Sequence, residues 1–359
     1  MFLTFIGLLF SGYPIAFVLA GVAALFTLVG YLGDIYLGTS TGVDFNYVGM
    51  VVNRIYKLMD NWVLVAIPMF IFMGLMLDRS GIADKMMSSM QNLFGKVRGG
   101  LAVTIALIGI ILAAATGIIG ASVVLLGLLA IPTMLRQDYE KSFAVGTVAA
   151  AGTLGILIPP SIMLVIMADQ LGLSVGDLFM GAVFPGLILG VMYIVYILGY
   201  SYLYPNRAPL PADREPMSFL VVWDVVRTAL PAVFLILAVL GSIFAGITTV
   251  TEASGVGALG ATVLAAINGK LNFKILKEVV HSTFNITGYI FGIFIGATCF
   301  ALVLRGLGGD QLIENALTGL PFGPYGIVFV LLLGIFLLGF FLDWIEITLI
   351  ILPLLAPVI

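Results

Sequence analysis

The sequence predicts an all-α polytopic membrane fold with re-entrant helical hairpins and broken transmembrane helices. Three observations carry that reading. The 359 residues are 62% hydrophobic and 9% charged, against about 25% charged in an ordinary soluble domain, and apolar runs of about 20 residues recur from end to end, each long enough to cross ~30 Å of hydrocarbon. Two of these runs are interrupted near their middles, at Thr116-Gly117-Ile118-Ile119-Gly120-Ala121-Ser122 and at Gly152-Thr153-Leu154-Gly155 with Pro159-Pro160-Ser161. The same order of segments recurs about 226 residues later.

In chain order, residues 2–31 read as one helix, with no basic stretch ahead of it to mark a cleavable signal. Residues 34–60 mix polar and aromatic side chains and fit an interfacial loop with a short amphipathic helix, and 61–78 cross again. Over 80–100, Ser80 is a helix N-cap; Ile82, Met86, Met90 and Leu93 fall near helical spacing, with Asp84, Lys85 and Ser88 on the far face. That segment is expected to lie along the membrane surface or to sheathe a moving part.

Residues 101–134 are two apolar arms around a Gly-rich break. Each arm is roughly 22 Å at 1.5 Å per residue, too short to span, so a re-entrant hairpin is expected. A broken span follows at 141–168, then spans at 178–204, 222–246, 254–268 and 284–304, a Pro-rich linker near 205–216, a second amphipathic piece at 272–283, and a polar segment at 305–320. The end, 323–359, is again two apolar arms around a polar break.

Charge placement agrees with this topology. With the N-terminus in the cytoplasm and each hairpin entering and leaving on one side, Arg79, Lys85, Lys96, Arg98, Arg136, Lys141, Arg207, Arg214, Arg227, Lys270, Lys274 and Lys277 fall inside, and only Arg54, Lys57 and Arg305 outside. Such a bias obeys the positive-inside rule. Counting 101–134 as a full span would reverse the later loops.

Shifting the chain by 226 residues places Arg79 on Arg305, Asp84 on Asp310 and Gly100 on Gly326; with one deletion Pro132 meets Pro357. Two copies of opposite orientation are the inverted repeat of many secondary transporters. The domains then read as scaffold helices at 1–78; a first transport repeat at 79–176, with its amphipathic arm, hairpin 101–134 and broken helix 141–168; scaffold helices at 177–283; and the start of a second repeat at 284–359, with hairpin 327–359. The second copy stops inside its hairpin at Ile359, so a C-terminally truncated chain, unable to transport as it stands, is expected.

Irregular backbone at membrane depth is tolerated only where it is buried or lines a cavity. Half-helix N-termini suit a carboxylate, and half-helix C-termini offer carbonyls to a hard cation such as Na+. The candidates are backbone carbonyls near Gly117, Gly120, Thr153 and Gly155, with the hydroxyls of Thr116, Ser122, Thr153 and Ser161 around Gly152, Pro159 and Pro160. Gly109, Gly127 and Gly146 read as close-packing positions. Asp343 and Glu346 lie in the break of the last hairpin, and intramembrane carboxylates are costly and usually functional; Asp343 is a further candidate Na+ ligand. Glu252 reads as a helix cap, His281 as solvated, Asp169-Gln170 as interfacial, and Asp60 and Asp78 as surface anchors. One Cys and one His leave no intrachain disulfide and no multi-histidine or cysteine metal cluster. No basic stripe suggests nucleic acid, and no nucleophile elbow, HExxH or paired-Asp signature suggests an enzyme.

At GITTVTEASGVGALGA (246–261) and AAGTLGILIPPSI (150–162) the chain resembles the large membrane subunit of TRAP transporters, the tripartite ATP-independent periplasmic family. Further matching stretches are PMFIFMGLMLDRSGIADKM (68–86), LAAATGIIGASVVLLGLLAIPTM (112–134), GDLFMGAVFPGLILG (176–190) and FLDWIEITLIILPLLAP (341–357). The family's second Pro-Pro loop has no match. The resemblance implies a permease of a bacterial or archaeal cytoplasmic (inner) membrane, working with a small four-helix membrane subunit and a periplasmic substrate-binding protein. It implies symport of a small organic acid, such as a C4-dicarboxylate, sialic acid or 2-oxo acid, with Na+ as coupling ion and no cofactor, by an elevator-type motion. It places the first hairpin tip at Thr116 to Ser122, the broken-helix loop at Gly152 to Ser161, and the second tip at Asp343 to Thr348. The alternative is a stand-alone Na+- or H+-coupled organic anion transporter of related architecture.

Overall fold

A computed structural model describes residues 1–94, 97–116, 119–210, 219–319 and 321–355, and every regular element among them is helical. Six helices in that set are long and apolar enough to cross a membrane, and one bent pair would make a seventh. The fold is an all-α polytopic membrane protein.

Helices α1 (Phe2–Leu9) and α2 (Ile15–Tyr36) replace the single helix expected over 2–31. Pro14 has no N–H and disfavours helix in the residue before it, and Gly12 takes φ 79°. Hydropathy runs unbroken through this turn, so the apolar count alone missed it. Beyond α2, the Asp34 carboxylate accepts hydrogen bonds from Thr39 Oγ1 at 2.8 Å and from the Thr41 and Gly42 amides at 2.9 Å. Helix α3 (Phe45–Met59) follows, its N-terminus capped by Asp44, which accepts from the Tyr47 amide at 2.7 Å.

A 3-10 turn at Trp62–Val65 leads into α4 (Ala66–Arg79). Helix α5 (Ile82–Phe94) has the predicted two faces: Ile82, Met86 and Met90 are buried, while Asp84, Lys85 and Ser88 are exposed. Ser80 caps it, accepting from the Ile82 amide at 3.2 Å. The hairpin pair is α6 (Gly100–Thr116) and α7 (Ile119–Arg136), each roughly 26 Å long at 1.5 Å per residue and short of a full crossing. The broken span is α8 (Lys141–Leu157) and α9 (Ile162–Leu171), bent by 43°.

Next come α10 (Val175–Leu203), α11 (Phe219–Phe244) and α12 (Val250–Ile267). Residues 211–216 of the expected linker lie outside the described set. Glu252 caps α12 as expected, in a reciprocal box with Thr249: the Thr249 amide donates to Glu252 Oε2 at 2.8 Å. Helix α13 (Phe273–Gly306) is continuous for 34 residues. The amphipathic piece at 272–283 and the span at 284–304 are therefore one helix, because no Gly-Pro punctuation separates them. Then follow α14 (Gly309–Thr318), α15 (Pro324–Leu338), α16 (Trp344–Glu346), a π turn at Ile347–Ile351 and α17 (Leu352–Leu355).

The chain divides into two compact units. One comprises residues 65–165 and 174–285. Within it α4 packs along α12, α5 lies against α11 and α6, and α8 runs between both arms of the α6–α7 hairpin and α10. Lipid tails are as apolar as leucine, so such packing depends on small residues that admit close approach. A Cβ on Gly257 would stand 2.5 Å from the Met73 sulfur. Ser89 bonds Asp224 of α11, and Thr104 donates to the Met90 carbonyl at 3.2 Å, so the apolar face of α5 is covered by protein.

The other unit comprises residues 1–64, 166–173 and 286–359. Here Gly296 of α13 meets the Ala16 backbone, where an added Cβ would come within 2.5 Å of the carbonyl oxygen, and Tyr47 donates to the Leu302 carbonyl at 3.2 Å. Arg305 pairs with Asp310 at 2.9 Å, joining the end of α13 to α14.

Candidate functional site

The first group of predicted residues lies on α6, α7 and α8. Thr116 ends α6, Gly117 falls outside the described residues, Gly120 is exposed, and Ser122 is buried on α7. Helix α8 approaches both arms through its small residues. A Cβ on Gly109 would lie 2.8 Å from the Ala151 Cβ and 3.0 Å from the Ala151 carbonyl oxygen. One on Gly152 would lie 2.3 Å from Val123 Cγ2 and 3.1 Å from the Val123 Cα and amide nitrogen. Gly152 is therefore a packing glycine, as Gly109 was expected to be. Gly127 makes ordinary contact, and at Gly146 nothing lies within 4 Å, so the close-packing reading fails there.

The break after α8 is built by Pro159-Pro160, a cis pair. Neither proline has an N–H, so the carbonyls of Gly155 and Ile156 lose the donors a continuing helix would supply. The buried Ser161 hydroxyl donates to the Ile156 carbonyl at 2.6 Å, and the Ile158 amide to the Leu154 carbonyl at 3.0 Å. The Gly155 carbonyl keeps its lone pairs. Thr153 donates to the Ala150 carbonyl at 2.8 Å and keeps its hydroxyl lone pairs. The break thus offers neutral oxygens to a cation, with Gly152, Gly155, Pro159, Pro160 and Ser161 all buried.

The second group lies at the break after α15. Asp343 is exposed and accepts from the Trp344 amide at 2.8 Å, capping α16. Glu346 stands three residues on, where a Glu carboxylate reaches back toward the N-cap amide; the Asp343 and Glu346 backbone amides approach it, but no well-aligned hydrogen bond to its oxygens forms among the described residues, and the residue is 0% exposed. Thr348 is buried, and its hydroxyl donates to the Trp344 carbonyl at 2.7 Å. The π turn at Ile347–Ile351 begins immediately after Glu346; such bulges are frequent at functional sites.

Two features were not anticipated. Asn61 donates to the Asp169 carboxylate, tying the end of α9 to the turn before α4, so Asp169 is not simply interfacial. Asp78, read as a surface anchor, is half-buried, with Oδ1 unpartnered among the described residues. An aromatic column runs from Tyr139 through Phe143 to Tyr200 and on to Tyr196 and Tyr204. Tyr193, Tyr196, Tyr200 and Tyr204 recur at helical spacing on one face of α10, a signal present in the sequence. Arg207 closes the column: Nη1 donates to Tyr200 Oη at 2.6 Å and pairs with Glu140 at 3.4 Å. The Tyr200 hydrogen bond and then the Glu140 charge push the Arg207 guanidinium up, keeping it charged. Burial pushes the Tyr139 phenol up to about 12, keeping it neutral. His281 is exposed, as expected.

The family model described as tripartite ATP-independent periplasmic transporter, DctM component, matches residues 2–359. The chain is 33% identical to the C4-dicarboxylate TRAP transporter large permease protein DctM of Pseudomonas aeruginosa, over 85% of this chain and 70% of that protein. It is 31% identical to the protein of the same description from Vibrio cholerae, over 100% of this chain and 80% of that one. It is 27% identical to the sialic acid TRAP transporter large permease protein SiaM of Vibrio cholerae, over 98% of this chain and 79% of that one.

Proposed function

The chain belongs to the DctM-component family of tripartite ATP-independent periplasmic transporters, a transport family and not an enzyme family, and from that premise we propose that it is the large permease subunit of an importer that couples uptake of a small organic acid to Na+. The observation that carries the coupling is the break after α8. Pro159 strips the Gly155 carbonyl of its helical donor, and the Thr153 hydroxyl stands two residues away on the same helix end. Neutral oxygens at a helix C-terminus fit a hard monovalent cation. Bound Na+ would supply positive charge at membrane depth, where a carboxylate substrate needs it.

Asp343 and Glu346 enter the same reading as a second, separate set of candidate residues, the charged one. Relatives named for C4-dicarboxylates and for sialic acid support an acid substrate. The word tripartite in the family's description supports two partners, a small membrane subunit and a periplasmic binding protein. A relative described as an isethionate TRAP transporter permease protein DctMQ agrees with a partner beside this subunit. The location is the inner membrane, with the N-terminus on the cytoplasmic side according to the basic-residue bias.

The test is uptake of a labelled organic acid into proteoliposomes holding the permease, its small subunit and its binding protein under an imposed Na+ gradient. Asp343→Ala is expected to abolish Na+-dependent uptake while the protein still reaches the membrane. Unchanged Na+ dependence in that variant would overturn the assignment of Asp343.

A further inference from the structure

One cavity plays no part in the transport reading. It lies between α8 and α10, has a volume of about 290 Å3, and is floored by Ala106 of α6. Along α8 it runs from Ser142 past Gly146 to Ala150; along α10 it is walled by Tyr193, Tyr196 and Tyr200. Ser142 to Ala150 is roughly 12 Å of helix at 1.5 Å per residue. A groove of that length, open along its side, takes an alkyl chain laid along α8 in contact with its wall atoms.

The rim faces outward from membrane-spanning helices: Tyr196 is 65% exposed. The solvent at that rim is hydrocarbon, so the walls select a lipid tail and not a dissolved solute. At Gly146 a Cβ would meet nothing within 4 Å, which shows how open the groove is.

The polar end has different chemistry. Tyr200 and Glu140 both engage Nη1 of Arg207, leaving Nε and Nη2 as donors. A guanidinium fork matches phosphate oxygens. Lys141 is exposed as the first residue of α8, and the N-cap Glu140 makes no side-chain cap bond, so the first amides of the helix stay open to an acceptor. Glu140 offsets one of the two cations and orients Arg207 through Tyr200. An aromatic belt at a membrane interface would explain exposed tyrosines, but not a groove behind them whose Tyr200 wall carries Arg207 and whose Ser142 end adjoins Lys141.

We propose that the groove between α8 and α10 binds a phospholipid with an anionic headgroup, its phosphate at Arg207 and Lys141 and one acyl chain laid between Gly146 and Tyr196. Basic pockets between transmembrane helices hold lipid headgroups in this way. With one net positive charge at the polar end, preference for an anionic over a zwitterionic headgroup is expected to be about fivefold.

The experiment reconstitutes the protein in phosphatidylcholine vesicles carrying a trace of phosphatidylglycerol with a photoactivatable acyl chain, or the matching phosphatidylcholine probe. Labelled peptides are then mapped by mass spectrometry. Label is expected on 142–151 and 193–200, about fivefold stronger with phosphatidylglycerol. Gly146→Leu, which fills open space and favours helix, should cut that label at least tenfold with an unchanged thermal midpoint; Ala150→Phe serves as a second plug should Gly146→Leu not be recovered. Lys141→Gln with Arg207→Gln should abolish the headgroup preference and leave acyl labelling in place. Equal labelling by the two probes in the unmodified protein, or label that survives the plug, overturns the proposal. Loss of label on adding excess glycerol phosphate would also overturn it, in favour of a site for soluble phosphate compounds.

Discussion

The two breaks that hold the candidate residues are built on opposite principles. The hairpin at 101–134 contains no ionisable side chain at all, and its neighbour α8 meets it through Gly109, Ala151 and Gly152, nearly backbone on backbone. The break at 339–348 carries two carboxylates, one capping a helix and one wholly buried with no well-aligned hydrogen bond among the described residues. The first can bind only with backbone dipoles and hydroxyls, which need no counter-charge and cost little to bury when paired. The second carries charge that hydrocarbon does not tolerate without a partner. Geometry is the asset of one region and charge that of the other.

The largest expected effect breaks the geometry. Gly152→Leu must push Val123 and its backbone aside, costing about 3 kcal/mol; membrane-inserted yield and thermal midpoint should both collapse. Gly120→Ala, where a Cβ meets nothing within 4 Å among the described residues, should stay within about 0.5 kcal/mol. Equal tolerance at the two positions would remove the contrast between close and open packing. The next effect concerns charge. Glu346→Gln removes the charge of a buried carboxylate that has no well-aligned partner among the described residues and keeps an amide oxygen for the nearby Asp343 N–H, so the thermal midpoint should hold or rise while Na+-driven uptake falls at least tenfold. A sharp loss of stability instead would show the carboxylate to be structural. The smallest effect is Ser161→Ala, which leaves the Ile156 carbonyl without its donor. A loss of about 1 kcal/mol is expected, seen as a lowered thermal midpoint; an unchanged midpoint would show that this hydroxyl adds nothing to the break.

Much of this architecture could be read from residue order. Gly and Pro punctuation marked the interruptions, hydropathy marked the spans, and the spacing of Ile82, Met86 and Met90 marked the buried face of α5. Two boundaries were missed because hydropathy cannot see backbone: the turn at Pro14, and the continuity of α13 through its polar half. In the candidate site, the residue types were legible but not their duties. Gly152 and Gly146 look alike in sequence; one abuts Val123 and the other faces an open groove, a distinction made by neighbours far along the chain. The column from Tyr139 to Arg207 was overlooked because tyrosines near a membrane boundary have an ordinary explanation.

The contact of Gly152 with Val123 also has a mechanical meaning. Helices separated by long side chains can slip past one another, each rotamer change absorbing part of the travel. Where a glycine sits on a neighbouring backbone there is nothing to absorb it, and sliding meets a hard ratchet at the first step. Helix α8 and the arm α7 are coupled like meshed gears with no backlash. A push on either is delivered whole to the other, and any compliance the transport cycle needs must come from joints without such teeth.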